Sequence, residues 1–176
     1  VSALEGFQKA VKGTPTKIVM AKGCAITGCD TTCFAEAARV ASEADVVVML
    51  VGEGDMMNGE AQSRTSIRLP GVQEQLVSRI AATGKPVVMV LYGGRPMDIN
   101  RQQEEVNAVV CNWILGTTAG DALTDIIFGE YNPSGHLTMS FPRTVGQIPV
   151  YYNHKNTGRP VDPANPFERY RSNYQD

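Results

Sequence analysis

The run Asp45-Val46-Val47-Val48-Met49-Leu50-Val51 constrains this chain more than any other segment. After Asp45 it shows no polar alternation, so neither face suits water. A short apolar run rich in β-branched residues marks a strand covered on both faces, and such strands belong to parallel sheets. Two further runs follow the same rule, Pro86 to Leu91 and Val106 to Ile114. Around them lie stretches with helical spacing. Ala3 to Val11 sets Leu4, Phe7 and Val11 on one side and stops at Gly13. Thr31 or Thr32 is a candidate cap for a helix reaching about Ser42, with Glu36 early and Arg39 late, as the helix dipole favours. Pro70 opens a helix to Ala82 that Gly84 closes, and Gly120 to Phe128 forms a last one before Gly129. Lys17 to Ala21 reads as another short strand, and His136 to Phe141 alternates as an edge or antiparallel strand does. Strands alternating with helices predict an α/β fold. Its doubly wound, mainly parallel sheet has helices on both faces, a flavodoxin-like three-layer sandwich with one antiparallel edge strand.

The length, 176 residues, suits one core-bearing domain. Composition divides the chain unevenly. Residues 1–144 carry the strand and helix pattern, whereas 145–176 hold Pro149, Pro160, Pro163 and Pro166 among Asn, Tyr and Arg residues and predict an extended arm. Net charge is −2 and no basic run or basic helix face appears, which argues against a nucleic-acid partner. No apolar stretch approaches the roughly 20 residues that span a bilayer. Val1 begins directly in helix-like sequence with no secretory signal, and this leaves localisation open. No Gly-x-Gly-x-x-Gly follows a strand and no phosphate loop is present, so no nucleotide cofactor is expected.

Cysteines cluster as Cys24-x4-Cys29-x3-Cys33, with Cys111 apart in an apolar run. Zinc sites use closer pairs and four ligands, so no metal is expected here. A disulfide from Cys24 to Cys29 or Cys33, and free partly buried thiols, both remain open.

Past the first buried run comes a polar loop, Gly54-Asp55-Met56-Met57-Asn58-Gly59-Glu60-Ala61-Gln62-Ser63-Arg64. Loops that follow the carboxyl ends of parallel strands deliver side chains to ligand crevices. Three carboxyls stand there. Glu53 ends the strand and suits a structural contact to the loop backbone or an arginine. Asp55 suits a turn. Glu60 is either a solvated loop carboxylate or a group that exchanges a proton at a reacting bond. Arg64 either orients Glu60 or forms a structural salt bridge, with a bidentate fork available for both.

Several motifs in order then carry a family resemblance. They are Ala44-Asp45-Val46-Val47-Val48 through Gly52-Glu53, Gly59-Glu60-Ala61 with Ser63-Arg64, and Leu69-Pro70-Gly71-Val72-Gln73. Ala82-Thr83-Gly84-Lys85-Pro86 and Gly94-Arg95-Pro96 follow. Phe128-Gly129-Glu130-Tyr131-Asn132-Pro133-Ser134-Gly135 leads to Ser140-Phe141-Pro142-Arg143, Gln147-Ile148-Pro149-Val150-Tyr151-Tyr152 and Thr157-Gly158-Arg159-Pro160. From about residue 40 to 160 the chain resembles the C-terminal α/β-sandwich domain of glycoside hydrolase family 3, particularly bacterial β-glucosidases.

The resemblance implies a fragment of a retaining β-glycosidase that hydrolyses terminal β-D-glucosides. Its nucleophile lies on a separate N-terminal barrel domain, the partner of this one, and the isolated chain is expected to be inactive. Glu60 falls on the family's general acid/base, with Arg64 and Tyr152 as candidate contacts to an oligo- or aryl-β-glucoside. Tyr151 and Tyr152 either stack on sugar or pack the arm. Trp113 reads as core, and His154 as structural. Gly93 departs from the family's usual Asn before Gly-Arg-Pro. The resemblance also implies a periplasmic or extracellular location. A non-catalytic carbohydrate-binding or interaction module of the same fold is the alternative.

Overall fold

The computed structural model describes residues 1–153, 155, 158–160, 162, 164–165 and 167–171. Three strands, β1 (Val47–Gly52), β2 (Val87–Tyr92) and β3 (Ala108–Trp113), form one parallel sheet in the order β1-β2-β3. Five helices surround it: α1 (Ala3–Ala10), α2 (Phe34–Glu43), α3 (Gln73–Ala81), α4 (Asn100–Glu105) and α5 (Ala119–Phe128).

Side-chain alternation along β2 explains the layering. Val87, Met89 and Leu91 point to one face, where Ala37 and Ala41 of α2 and Leu76, Val77 and Ile80 of α3 close over them. Val90 points to the other face and meets Ala3 and Phe7 of α1 and Leu123 of α5. A strand with partners on both sides has no solvent face, which is why its sequence is apolar throughout. Each fully buried Val, Leu or Met among them contributes about 1.5–3 kcal/mol of apolar burial. The sheet is therefore parallel with helices on both faces.

Local chemistry sets the ends of the helices. Ser2 and Glu5 form a reciprocal capping box at the start of α1, each satisfying a backbone N–H of the other's residue. Phe7 and Phe128 then meet edge-to-face with ring centroids 6.0 Å apart, joining α1 to the end of α5. At Gly129 the chain turns left-handed (φ 81°), a common glycine ending for a helix.

Several sequence expectations are corrected. Neither Thr31 nor Thr32 caps α2 through its side chain: the helix begins after Cys33, and Phe34 N–H donates to the Thr31 carbonyl in a backbone turn. Lys17 to Ala21 is not a strand. Ile18 and Ala21 pack onto the two cores while Val19 and Met20 face out, and no ladder forms. The expected antiparallel strand over His136 to Phe141 is also absent, since Leu137 and Met139 face outward and the prolines at 133 and 142 lack N–H donors. Helix α4 was not foreseen. Its sequence Asn100-Arg101-Gln102-Gln103-Glu104-Glu105 has no apolar stripe, and Gln102 is its one buried residue.

The segment from 145 opens with a short 3₁₀ turn, Val145–Gln147, whose Gln147 is buried and accepts the Arg143 N–H. His154 and Thr157 lie outside the described residues. No helix among the described residues is long and apolar enough to cross a membrane, and no three metal-ligating side chains converge among them. All four cysteines are free thiols.

Candidate active site

The carboxyl end of β1 is where the polar loop begins. Gly52 and Tyr92 are in register there, and Glu53 N–H donates to the Tyr92 carbonyl at 2.8 Å. The backbone of Gly52 runs at φ 133°, and a Cβ there would lie 1.9 Å from the Tyr92 oxygen, so no other residue fits. On the open edge of β1, the Gln73 side chain replaces a neighbouring strand. Its amide oxygen accepts from Gly52 N–H at 2.7 Å, and its nitrogen donates to the Gly52 carbonyl at 2.8 Å and the Ile26 carbonyl at 3.1 Å. A cavity of about 270 Å³ lies alongside, lined by Cys24, Ile26, Leu50, Gly52, Glu53 and Tyr92 among others. Burial raises the Tyr92 phenol above its ordinary range. Burial, and then the neighbouring Cys33, raise the Cys24 thiol.

Glu53 is the anchor of the loop. Its side chain is fully buried between two guanidinium groups, Arg64 (14% exposed) and Arg95 (26% exposed). Arg64 Nη1 donates to Oε1 at 2.5 Å, and Arg95 Nε straddles both carboxylate oxygens at 3.2 Å. Each arginine also grips backbone. Arg64 Nη2 donates to the Arg68 carbonyl at 2.9 Å, and Arg95 Nη2 donates to the Met57 carbonyl. Asn58 adds a second tie, accepting from Gly94 N–H at 2.7 Å while donating to the Gly54 carbonyl at 2.9 Å. Removing one member of so buried a pair costs about 3–5 kcal/mol.

Gly93 now has a structural reason. A Cβ at this position would meet Met97 Cε at 2.7 Å and Glu53 Oε2 at 3.3 Å, so a larger side chain here would crowd the Glu53 carboxylate.

Between the anchored ends, Asp55–Met57 forms a 3₁₀ turn in which Asp55 accepts the Met56 N–H. Glu60 sits at the second position of the next turn, closed by Gln62 N–H to the Gly59 carbonyl at 3.3 Å. Ala61, at the third position, is left-handed (φ 61°), where glycine is the usual occupant. Glu60 is exposed, and among the described residues its carboxylate has no hydrogen-bonding or ionic partner.

The predicted site residues separate accordingly. Glu60 stands free at the crest of the loop. Arg64 is close to Glu53 and not engaged with Glu60. Tyr152 is 99% exposed, away from any core, and Trp113 is half-buried against Phe141 at 6.0 Å. Gln73, Asn58 and Arg95 were missed. For Arg95 a signal existed, since an arginine just past a buried strand end needs an acceptor.

The glycosyl hydrolase family 3 C-terminal domain matches residues 1–175. The chain belongs to this family. The periplasmic β-glucosidase of Salmonella typhimurium is 43% identical over the whole chain, which spans 25% of that protein. A β-xylosidase of Formosa agariphila is 47% identical over 86% of the chain, or 21% of its own length. The crystal structure of Listeria innocua β-glucosidase in complex with isofagomine superposes with a TM-score of 0.87 at 39% identity, covering 100% of this chain and 24% of that one. The chain thus spans about a quarter of the length of these family 3 relatives.

Proposed function

We propose that this domain supplies the general acid/base of a retaining β-glycosidase, and that Glu60 is that group. The observation that supports Glu60 is the division of labour among the loop carboxylates. Both Glu53 oxygens accept from arginines in a buried pair, and Asp55 closes its own turn. Of the three, Glu60 alone is presented outward with its oxygens uncommitted among the described residues.

Retaining hydrolysis needs two carboxyls about 5–5.5 Å apart, one attacking the anomeric carbon and one protonating the leaving oxygen. The nucleophile belongs to a barrel domain outside this chain, consistent with the quarter-length coverage of relatives. Glu60 first donates its proton to the departing glycosidic oxygen. As a carboxylate it then takes a proton from the water that cleaves the glycosyl-enzyme bond. A general acid works best when water is excluded around it. Glu60 is exposed on this domain, so the covering must come from the partner domain.

The proposed substrates are terminal β-D-glucosides, with β-xylosides as the second sugar class that the named relatives bring. Tyr152 offers an exposed ring for stacking on sugar. Arg64 retains N–H groups beyond the two already engaged for a sugar hydroxyl. The domain comprises residues 1–144 with 145–176 as its arm, it needs no cofactor, and the enzyme works in the periplasm or outside the cell.

The test is Glu60→Ala in the full-length protein. Cleavage of glucosides with poor leaving groups should fall about 10²- to 10⁴-fold. A dinitrophenyl leaving group needs no protonation, so its first step should survive while deglycosylation slows. Azide should then restore turnover and yield a β-glycosyl azide, because a small anion attacks without base assistance. Rescue of Asp55→Ala or Glu53→Ala instead of Glu60→Ala would move the assignment to that residue.

A further inference from the structure

We propose that Arg95 and Asn58, tied to the segment after β2, are positioning residues that set where the Glu60 carboxylate stands. This rests on the reading of Glu60 as the acid/base.

Nothing in the Glu60 turn itself holds it in place. The turn has one 3.3 Å backbone hydrogen bond, its side chains are exposed, and Ala61 occupies a left-handed conformation that costs an alanine energy. A strained backbone of this kind persists where the surroundings over-determine it. The surroundings here are the contacts on the N-terminal side of the turn, within three residues of Glu60. Arg95 Nη2 holds the Met57 carbonyl, and Gly94 N–H holds Asn58 Oδ1. Neither partner belongs to the loop. Both come from the turn leaving β2, whose position is fixed by the in-register pairing of Gly52 with Tyr92. On the other side, four residues past Glu60, Arg64 returns the chain to the same Glu53 carboxylate that Arg95 holds.

Glu60 is therefore suspended between two arginines that share one buried anion. The arrangement separates two tasks. The Glu53–Arg64 pair closes the loop on itself, and Arg95 with Asn58 fixes the loop's height relative to the sheet. A displacement of about 1 Å in a proton-transfer group can cost about 10²-fold in rate. The group that would suffer is the acid, and only when the leaving group needs it.

The experiment uses the full-length enzyme with Arg95→Lys, Arg95→Ala and Asn58→Ala, compared with Glu60→Ala. Lysine at 95 keeps a charge for Glu53 but lacks the fork that reaches Met57. Each arginine variant should lower kcat on an alkyl β-glucoside about ten- to a hundredfold, with little change in KM or in the rate of the first step on a dinitrophenyl glucoside. Asn58→Ala is the mild arm, because it leaves the buried ion pairs intact. It should show the same leaving-group split at a smaller size. A purely structural role would reduce the amount of folded enzyme and lower both substrates by the same factor. That equal fall, or no fall in any of the three variants, would overturn the positioning role. If azide rescues Glu60→Ala while the split is missing, only the positioning role fails. If azide does not rescue Glu60→Ala, the acid/base reading fails and takes this one with it.

Discussion

Gln73 offers a quantitative probe of the strand end that launches the loop. Its buried amide serves both the N–H and the carbonyl of Gly52, at 2.7 and 2.8 Å. Gln73→Met keeps the shape and leaves both backbone groups without partners. Each buried orphan costs about 1–3 kcal/mol, and water entering the adjoining cavity lowers the sum to about 2–3 kcal/mol. Gln73→Glu is more informative. A protonated carboxyl reproduces both hydrogen bonds, while a carboxylate keeps the one from Gly52 N–H and sets a negative oxygen against the Gly52 carbonyl. Burial favours the neutral form by about 3 units. Position at the start of α3 returns about 1 unit through the helix dipole. The folded pKa of the new carboxyl should thus lie about 2 units above its unfolded value of about 4.3. A group with a raised folded pKa contributes stability that is fully present below the unfolded pKa and is lost as pH rises through the folded one. Gln73→Glu should lose about 1.4 kcal/mol per pH unit from about pH 4.3, levelling near pH 6.5 at about 3 kcal/mol. Urea unfolding of wild type and variant across this range, compared as a difference, gives the measurement. A difference independent of pH would refute the buried carboxyl, and a loss below about 1 kcal/mol for Gln73→Met would refute the dependence of the Gly52 backbone groups on the Gln73 amide.

Three further outcomes follow from the same geometry. Gly52→Ala should lose about 3–5 kcal/mol in thermal unfolding, because its Cβ would meet the Tyr92 carbonyl in a backbone conformation that alanine resists; a loss under about 1 kcal/mol would contradict the close approach. Thiol mapping with a chromogenic disulfide reagent at neutral pH should label exposed Cys29 before Cys24, since burial raises the Cys24 thiol and the thiolate is the attacking species; equal rates would contradict the packing of Cys24. In the capping box, the Ser2 N–H and hydroxyl hold the Glu5 carboxyl below its ordinary range. This contribution is present above the unfolded pKa and lost as pH falls through the lowered value, so the penalty of Glu5→Gln should shrink in acid, as followed by helix signal against pH.

How much of this fold was legible depended on whether one segment carried its own constraint. β2 is apolar along its length because helices cover it from both sides, and that demand is written in consecutive residues; β1 shares it in part, burying Met49 and Val51 while Leu50 is exposed. β3 was readable from its apolar run, although the strand is shorter than that run and its first residues, Ala108 and Val109, are exposed. The strands expected at 17–21 and 136–141 failed on the other side of this rule. Alternation or a β-branched pair gives a face, but a strand exists only where a neighbour accepts its hydrogen bonds. On the outer edge of β1, that role at Gly52 fell to the Gln73 side chain. Helix α4 was invisible because polar residues cover all of its surface and only Gln102 is buried.

The site divides along the same line. Glu60 is proposed from its loop and family motif, whereas Glu53 was read as structural because a carboxyl ending a buried strand needs a partner, and its two arginine contacts agree with that reading. The identity of that partner could not be read locally. Arg64 lies eleven residues from Glu53 and was left between two roles, whereas Arg95 lies forty-two away and reaches Glu53 only through the β1–β2 register. Register is a strong constraint here. A slip of one residue would turn every side chain of β1 to the opposite face, sending Met49 and Val51 away from α2 and α3 and Glu53 away from both guanidiniums. The Gly52–Tyr92 contact, where no Cβ fits, opposes this slip and at the same time brings Arg95 to Glu53. In this domain the core and the loop that presents Glu60 are specified by the same pairing of two strands.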